Sequence, residues 1–154
     1  GTLAGEGSSY FVLSKNKNDH SYARLQGVKT IFHPTDKKEL EANITGFLDE
    51  HGLKPGNIGL LITGINGNAT TDEGYHELAG SIFPGVPLAW FKHLCGEYST
   101  ASGFALWLAT RILKSKTIPK TIMLQDYPPI SPEHILILNS TRDTHYSLIL
   151  VSIA

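Results

Sequence analysis

The sequence predicts an α/β domain built on a mixed sheet, and three observations predict it. Short apolar runs alternate with segments of helical period through most of the chain. Two longer apolar runs, "HILILNS" and "YSLILVSIA", close the chain with a short polar turn between them. A length of 154 residues with 41% hydrophobic composition is enough for one domain with a substantial core.

Each element has its own justification. "SYFVLSK" (9–15) follows a Gly-rich lead and reads as a strand, and "GVKTIF" (27–32) as a second. The segment from Pro34 to Asn57 reads as a helix with its punctuation in place. Asp36 and Glu39 have capping-box spacing, Leu40, Ile44, Phe47 and Leu48 share one face, Gly52 supplies the stop and Pro55 prevents continuation. "IGLLIT" (58–63) is nearly all apolar, as in a strand buried on both faces. "GINGNAT" (64–70) is a loop, 71–83 a helix with Tyr75, Leu78, Ala79 and Ile82 inward, and "VPLAWF" (86–91) a strand. Residues 98–114 form the most apolar helix. Ser99, Ala101, Ser102 and Gly103 crowd its first turns, and Phe104, Leu106, Trp107, Leu108, Ile112 and Leu113 cover most of its circumference, so it expects cover on more than one side. The last two runs, 134–140 and 146–154, form an antiparallel pair.

Composition excludes several classes. A formal net charge of -1, with no run of like charge longer than a pair, gives no electrostatic reason for nucleic acid or an anionic membrane. No stretch has the roughly 18 apolar residues of a membrane span, and no signal peptide opens the chain. A single cysteine cannot form an internal disulfide and suits a reducing, cytoplasmic compartment. A chain opening on Gly1 without an initiator Met reads as processed or as a fragment.

The stretch "FKHLCGEYSTASGFALWLATRIL" (91–113) holds that cysteine, with His93 and Glu97 two residues to either side. A reactive Cys95 would need its thiolate stabilised by a helix N-terminus or by Lys92 and His93. If the segment is extended, His93, Cys95 and Glu97 share a side without touching. Free cysteines are among the most buried residues, so the structural reading of Cys95 is preferred. The seven histidines show no metal-ligand spacing. Asp72 and His76, four apart on a helix with Glu73 and Glu77 nearby, fall short of a usual ligand set, and the acids suit the helix dipole. Arg111, Lys114, Lys116 and Lys120 gather at the end of the long helix. The dipole accounts for them, and a docking patch for an acidic partner is the sharper alternative. "GEG" (5–7) and "GINGN" (64–68) match neither a P-loop nor a dinucleotide fingerprint, so no nucleotide cofactor and no metal is expected.

The order of these segments resembles the C-terminal half of a β-ketoacyl synthase, of the thiolase-like fold. "AGEGSSYFVL" resembles that family's "LGEGAGxxVLE" strand. "FLDEHGLKPGNIGLLITGINGNATTDEGYHEL" resembles its "ALxxAGLxPxDIDYINAHGTSTxxND" segment. "FKHLCGEYSTASGFALWLATRILKSKTIPKTI" is similar to its "KSxxGHxxGAAGxxExixxxLalkxgxiPPTiN" segment, and "ILILNSTRDTHYSLILV" to the closing "ALSNSFGFGGxNxxLVL" pair. The resemblance implies a thiolase-like half, a mixed five-stranded sheet with helices on both faces, and an N-terminal half carrying the nucleophilic cysteine that this chain does not contain.

In active members, that cysteine carries an acyl group; two histidines and a lysine come from the half resembled here, and the histidines help decarboxylate the malonyl unit and stabilise the enolate. In this chain the lysine position is Lys92, the first histidine position is Asn66 and the second is Glu97. The closing "GFGG" turn is replaced by the bulkier "TRDT" (141–144). Asn66 can donate a hydrogen bond but cannot shuttle a proton, and an ionised Glu97 would repel an enolate. An ion pair between Lys92 and Glu97 is the alternative expectation for the vestigial site. The resemblance therefore implies a non-catalytic partner subunit of the chain-length-factor type in fatty acid or polyketide-type synthesis. Its partners would be a second copy or a ketosynthase, and an acyl carrier protein. An acyl-transferring enzyme using a cysteine from the other half, Lys92 and Asn66, and a stand-alone dimerisation module, remain as alternatives.

Overall fold

A computed structural model describes residues 1–142 and 144–154. The strands are β1 (Arg24–Phe32), β2 (Leu60–Thr63), β3 (Leu88–Trp90), β4 (His134–Thr141) and β5 (His145–Ser152). The helices are α1 (Lys37–Glu50), α2 (Ala69–Ile82), α3 (Lys92–Cys95) and α4 (Ala101–Ser115). The five strands form one sheet in the order β1-β5-β4-β2-β3. β4, β2 and β3 run parallel, and β1 and β5 add antiparallel, which makes the sheet mixed.

Strand alternation sorts the core into two layers. Leu61, Leu136, Leu138, Leu148 and Leu150 face the layer of α1 and α2, where Leu40, Ile44, Phe47, Leu48, Tyr75, Leu78 and Ile82 are buried. Leu60, Ile62, Ile135, Ile137, Ile149 and Val151 face α4. α4 lays Ala101, Ala105 and Ala109 toward the sheet, flanked by Leu108, Ile112 and Leu113. Three small residues spaced by four let the helix lie close to the strands. Helices thus cover both faces, the fold class expected from the sequence.

The α1 start differs in detail from a capping box. Asp36 Oδ1 accepts from the Glu39 amide at 2.8 Å, but the Glu39 carboxylate reaches one residue further back, to the amide and hydroxyl of Thr35 at 2.7 and 2.6 Å. Those two bonds lower the Glu39 pKa. Gly52 takes a positive φ of 70° at the stop, as expected.

Two expectations are corrected. Residues 9–15 form no strand, although Tyr10 to Leu13 carry the residues of one. The run forms no ladder within the chain, and Val12 is 101% exposed. The segment crosses the start of α4 instead: the Thr100 hydroxyl donates to the Gly7 carbonyl at 3.3 Å, and a Cβ on Gly103 would meet Ser9 at 3.1 Å. The long helix also begins later than expected, at Ala101, and α3 is a separate turn. Between them Gly96 has φ 77°, and a Cβ there would lie 2.6 Å from the Gly5 Cα. The small residues at 96–103 accommodate the N-terminal segment, which a continuous helix from residue 98 would displace. α4 is buried on its sheet side alone; Trp107, on the other, is 47% exposed.

Candidate functional site

β2 and β3 are parallel neighbours, so the loops leaving their C-terminal ends emerge side by side. This is where open α/β sheets place their sites. Asn66 lies three residues beyond β2, and Lys92 two beyond β3. β4 ends in the same layer, because Thr63 pairs with Leu138. The topology thus brings together residues 26 positions apart.

Asn66 and Glu97 are each anchored by bonds outside the cluster. The Asn66 amide donates to Asp72 Oδ1 at 3.0 Å and the Gly67 amide to Asp72 Oδ2 at 2.8 Å. Asp72 is buried in the first turn of α2, so its carboxylate ties the loop to a helix N-terminus. The Asn66 side-chain carbonyl accepts from the Asn68 amide at 3.1 Å, which fixes its orientation and leaves the NH₂ group facing outward from the loop. Glu97 is fixed by its backbone: its carbonyl accepts from the Gly5 amide at 3.0 Å, and its own amide donates to the Leu3 carbonyl at 2.8 Å. Lys92 opens α3, with its side chain 2% exposed.

The three side chains meet at one atom. Glu97 Oε2 accepts from Lys92 Nζ at 2.6 Å and from Asn66 Nδ2 at 2.8 Å. The Lys92–Glu97 ion pair expected as an alternative is therefore formed, and Asn66 joins it. Charge-assisted bonds of this length to a largely buried ammonium are the strong kind.

Cys95 is not part of this cluster. Its Sγ lies 3.8 Å from the Phe91 carbonyl and 3.4 Å from that of Gly96. Burial raises the thiol pKa, more than the Tyr98 hydrogen bond and the Lys92 charge lower it. The extended arrangement considered for 93–97 is corrected: residues 92–95 are helical, which turns His93 away. Its ring stacks on Trp90 at 4.0 Å and its Nε2–H donates to the Thr121 carbonyl at 3.0 Å. Burial lowers the imidazole pKa.

The other candidates serve the scaffold. Both Asp72 oxygens bind backbone amides and Glu77 pairs with Lys37 at 2.9 Å, so neither acid is turned toward His76. Among the described residues no three ligating side chains converge. Arg111 and Lys114 close over Tyr22: Arg111 donates to its hydroxyl at 3.2 Å, and Lys114 to the Ser21 carbonyl at 3.2 Å. They hold the N-terminal segment against α4. Of the "TRDT" turn, Asp143 lies outside the described residues; Arg142 has φ 55°.

Sequence reasoning missed Asn139 and Gly64. A Cβ on Gly64 would strike Asn139 Oδ1 and sit 2.6 Å from the Tyr75 hydroxyl, so only glycine fits beside the end of β4. Asn139 Oδ1 is buried with no hydrogen-bond partner among the described residues. The signal available was a polar "NS" ending the apolar run of β4.

No family model matches the chain, and no curated protein matches it. Solved structures do. The ishigamide ketosynthase/chain length factor superposes with a TM-score of 0.71 at 15% identity over 86% of this chain and 38% of its own. A ketosynthase in complex with its chain length factor from Xenorhabdus doucetiae gives 0.70 at 18% identity, over 84% of this chain and 39% of that one. A type II polyketide synthase acyl-carrier protein in complex with its ketosynthase bound to the hexaketide gives 0.67 at 16%, over 86% and 39%. The chain spans well under half the length of these structures. Its fold is that of part of a ketosynthase, in agreement with the thiolase-like half expected from the sequence. Among the described residues no helix is long and apolar enough to cross a membrane.

Proposed function

We propose that this chain is the C-terminal half of a cytoplasmic ketosynthase-like protein that supports acyl condensation without catalysing it, as a chain length factor does. The observation that carries this reading is the occupancy of Glu97 Oε2. The two donor groups at the family's lysine and first histidine positions, Lys92 Nζ and Asn66 Nδ2, both turn a hydrogen bond toward it. A carboxylate there repels an enolate electrostatically and supplies no donor when ionised. Asn66, at the first histidine position, cannot shuttle a proton as an imidazole does. Lys92, Asn66 and Glu97 then mark a vestigial site whose remaining use is structural.

The reading also accounts for the uncovered surfaces. The exposed side of α4 at Trp107 and the unpaired run Tyr10 to Leu13 would pack against a thiolase-like half on the N-terminal side. The partner would be a ketosynthase or a second copy, with an acyl carrier protein visiting the assembly, in fatty acid or polyketide-type synthesis.

The test is malonyl decarboxylation by the full-length protein, alone and with its copurifying partner. Alone it is expected to be inactive and to resist labelling by a cerulenin-like cysteine alkylator. Rapid decarboxylation, or labelling at a cysteine other than Cys95, would instead assign an acyl-transferring enzyme. Glu97→His combined with Asn66→His is expected to restore measurable decarboxylation only if the partner supplies the cysteine.

A further inference from the structure

We infer that Lys92 and Asn66 form a carboxylate-binding site that the chain itself fills with the side chain of Glu97. The inference rests on the reading above for why the site lies where it does; its geometry stands without it.

Asn66 takes its orientation without help from the group it binds, and the Lys92 ammonium is buried beside it. Asn66 is oriented by Asp72 through its backbone amide and by the Asn68 amide through its side-chain oxygen. Its NH₂ would point the same way with Glu97 gone. Lys92 is buried at the start of α3, and Glu97 is its one ion-pair partner among the described residues. Glu97 enters from a third direction, pinned by its backbone to Leu3 and Gly5. The two donors converge on a single oxygen at 2.6 and 2.8 Å, the arrangement a bound carboxylate takes. Shortening Glu97 to alanine removes a methylene and a carboxylate, the atoms of acetate. It leaves a buried ammonium and a free amide around a space of acetate's shape. A buried charge without its partner favours any anion that restores the contact. The chemical class of ligand is therefore a small monocarboxylate.

The experiment compares the full-length wild type with Glu97→Ala, Glu97→Gln and Lys92→Met/Glu97→Ala. Melting midpoints are measured as sodium acetate replaces sodium chloride at constant ionic strength. The Glu97→Ala variant should show a saturable upward shift with acetate, half-complete in the millimolar range, and a weaker one with bulkier carboxylates. The wild type, whose site is filled, and Glu97→Gln, whose amide oxygen still accepts from both donors, should show none. The double variant, lacking the ammonium, should lose the shift. If Glu97→Ala does not purify folded, its yield on refolding with and without acetate is the readout, and a gain specific to acetate is expected. Equal response of Glu97→Ala to acetate and chloride, or a response that survives loss of Lys92, overturns the inference. No acyl substrate is used, so that outcome would leave the non-catalytic reading to its own decarboxylation test.

Discussion

At the scale of the residue, the decisive feature is one carboxylate with two donors. Lys92 is almost wholly buried while Glu97 keeps about a third of its side chain exposed, so removing Glu97 strands the ammonium. Glu97→Ala is expected to cost about 3 kcal/mol, near the low end for a broken buried pair. Glu97→Gln should cost about 1 kcal/mol, because its oxygen still accepts both bonds. Denaturant unfolding of the two variants measures the difference, and equal losses would show that the charge, not the pair of hydrogen bonds, is what matters. Cys95 gives a prediction of opposite kind. Burial raises its pKa, so at neutral pH the folded protein should be alkylated by iodoacetamide more slowly than the unfolded one. By linkage, its contribution to stability is full below the ordinary thiol range and is lost as pH rises through the raised folded value. Rapid labelling of native Cys95 at neutral pH would make the thiol reactive after all.

At the scale of the element, helix starts and glycines carry the local design. Asp36 caps α1 through the Glu39 amide, and Asp36→Ala should cost about 1 kcal/mol in thermal or denaturant unfolding. The Glu39 carboxylate, lowered in pKa by Thr35, adds a contribution that is present above the usual carboxylate range and is lost as pH falls through the folded value. Gly64 is constrained by packing, because its missing Cβ is the space taken by Asn139 and Tyr75. Gly64→Ala should destabilise by about 1–3 kcal/mol, the range for overpacking a filled site. A neutral result would mean that the end of β4 can shift aside. The faces of α1 and α2 were legible from period alone, since Leu40, Ile44, Phe47, Leu48, Tyr75, Leu78 and Ile82 are all buried. The start of α4 was not, because the residues at 96–103 answer to the N-terminal segment lying across them.

At the scale of the whole molecule, apolar surface remains after the core is complete. Val12 and Leu13 on the N-terminal segment, Val28 and Phe32 on β1 and Trp107 on α4 are all exposed. Val12, Leu13 and Trp107 line one groove, and contiguous exposed apolar surface marks an interaction face. The 154-residue chain by itself is therefore expected to self-associate, which light scattering across concentration reads directly. Trp107→Glu should shift it toward monomer without lowering its unfolding midpoint, since the residue lies outside the buried side of α4. A wild-type chain that is monodisperse and monomeric would remove the case for a missing covering half.

The sequence by itself determined the class of fold, the two helical faces, the strand buried on both sides and the antiparallel closing pair, because each depends on periodicity within a few neighbouring residues. It also supplied the three side chains that meet in the cluster, through resemblance to a known order of motifs. Only the tertiary structure decided that Lys92 and Asn66 share one oxygen of Glu97, that Cys95 and His93 face apart, and that residues 9–15 find no partner strand. Hydrogen-bond geometry between loops, and which apolar runs join the sheet, depend on which segments become neighbours, and a linear pattern does not carry that information.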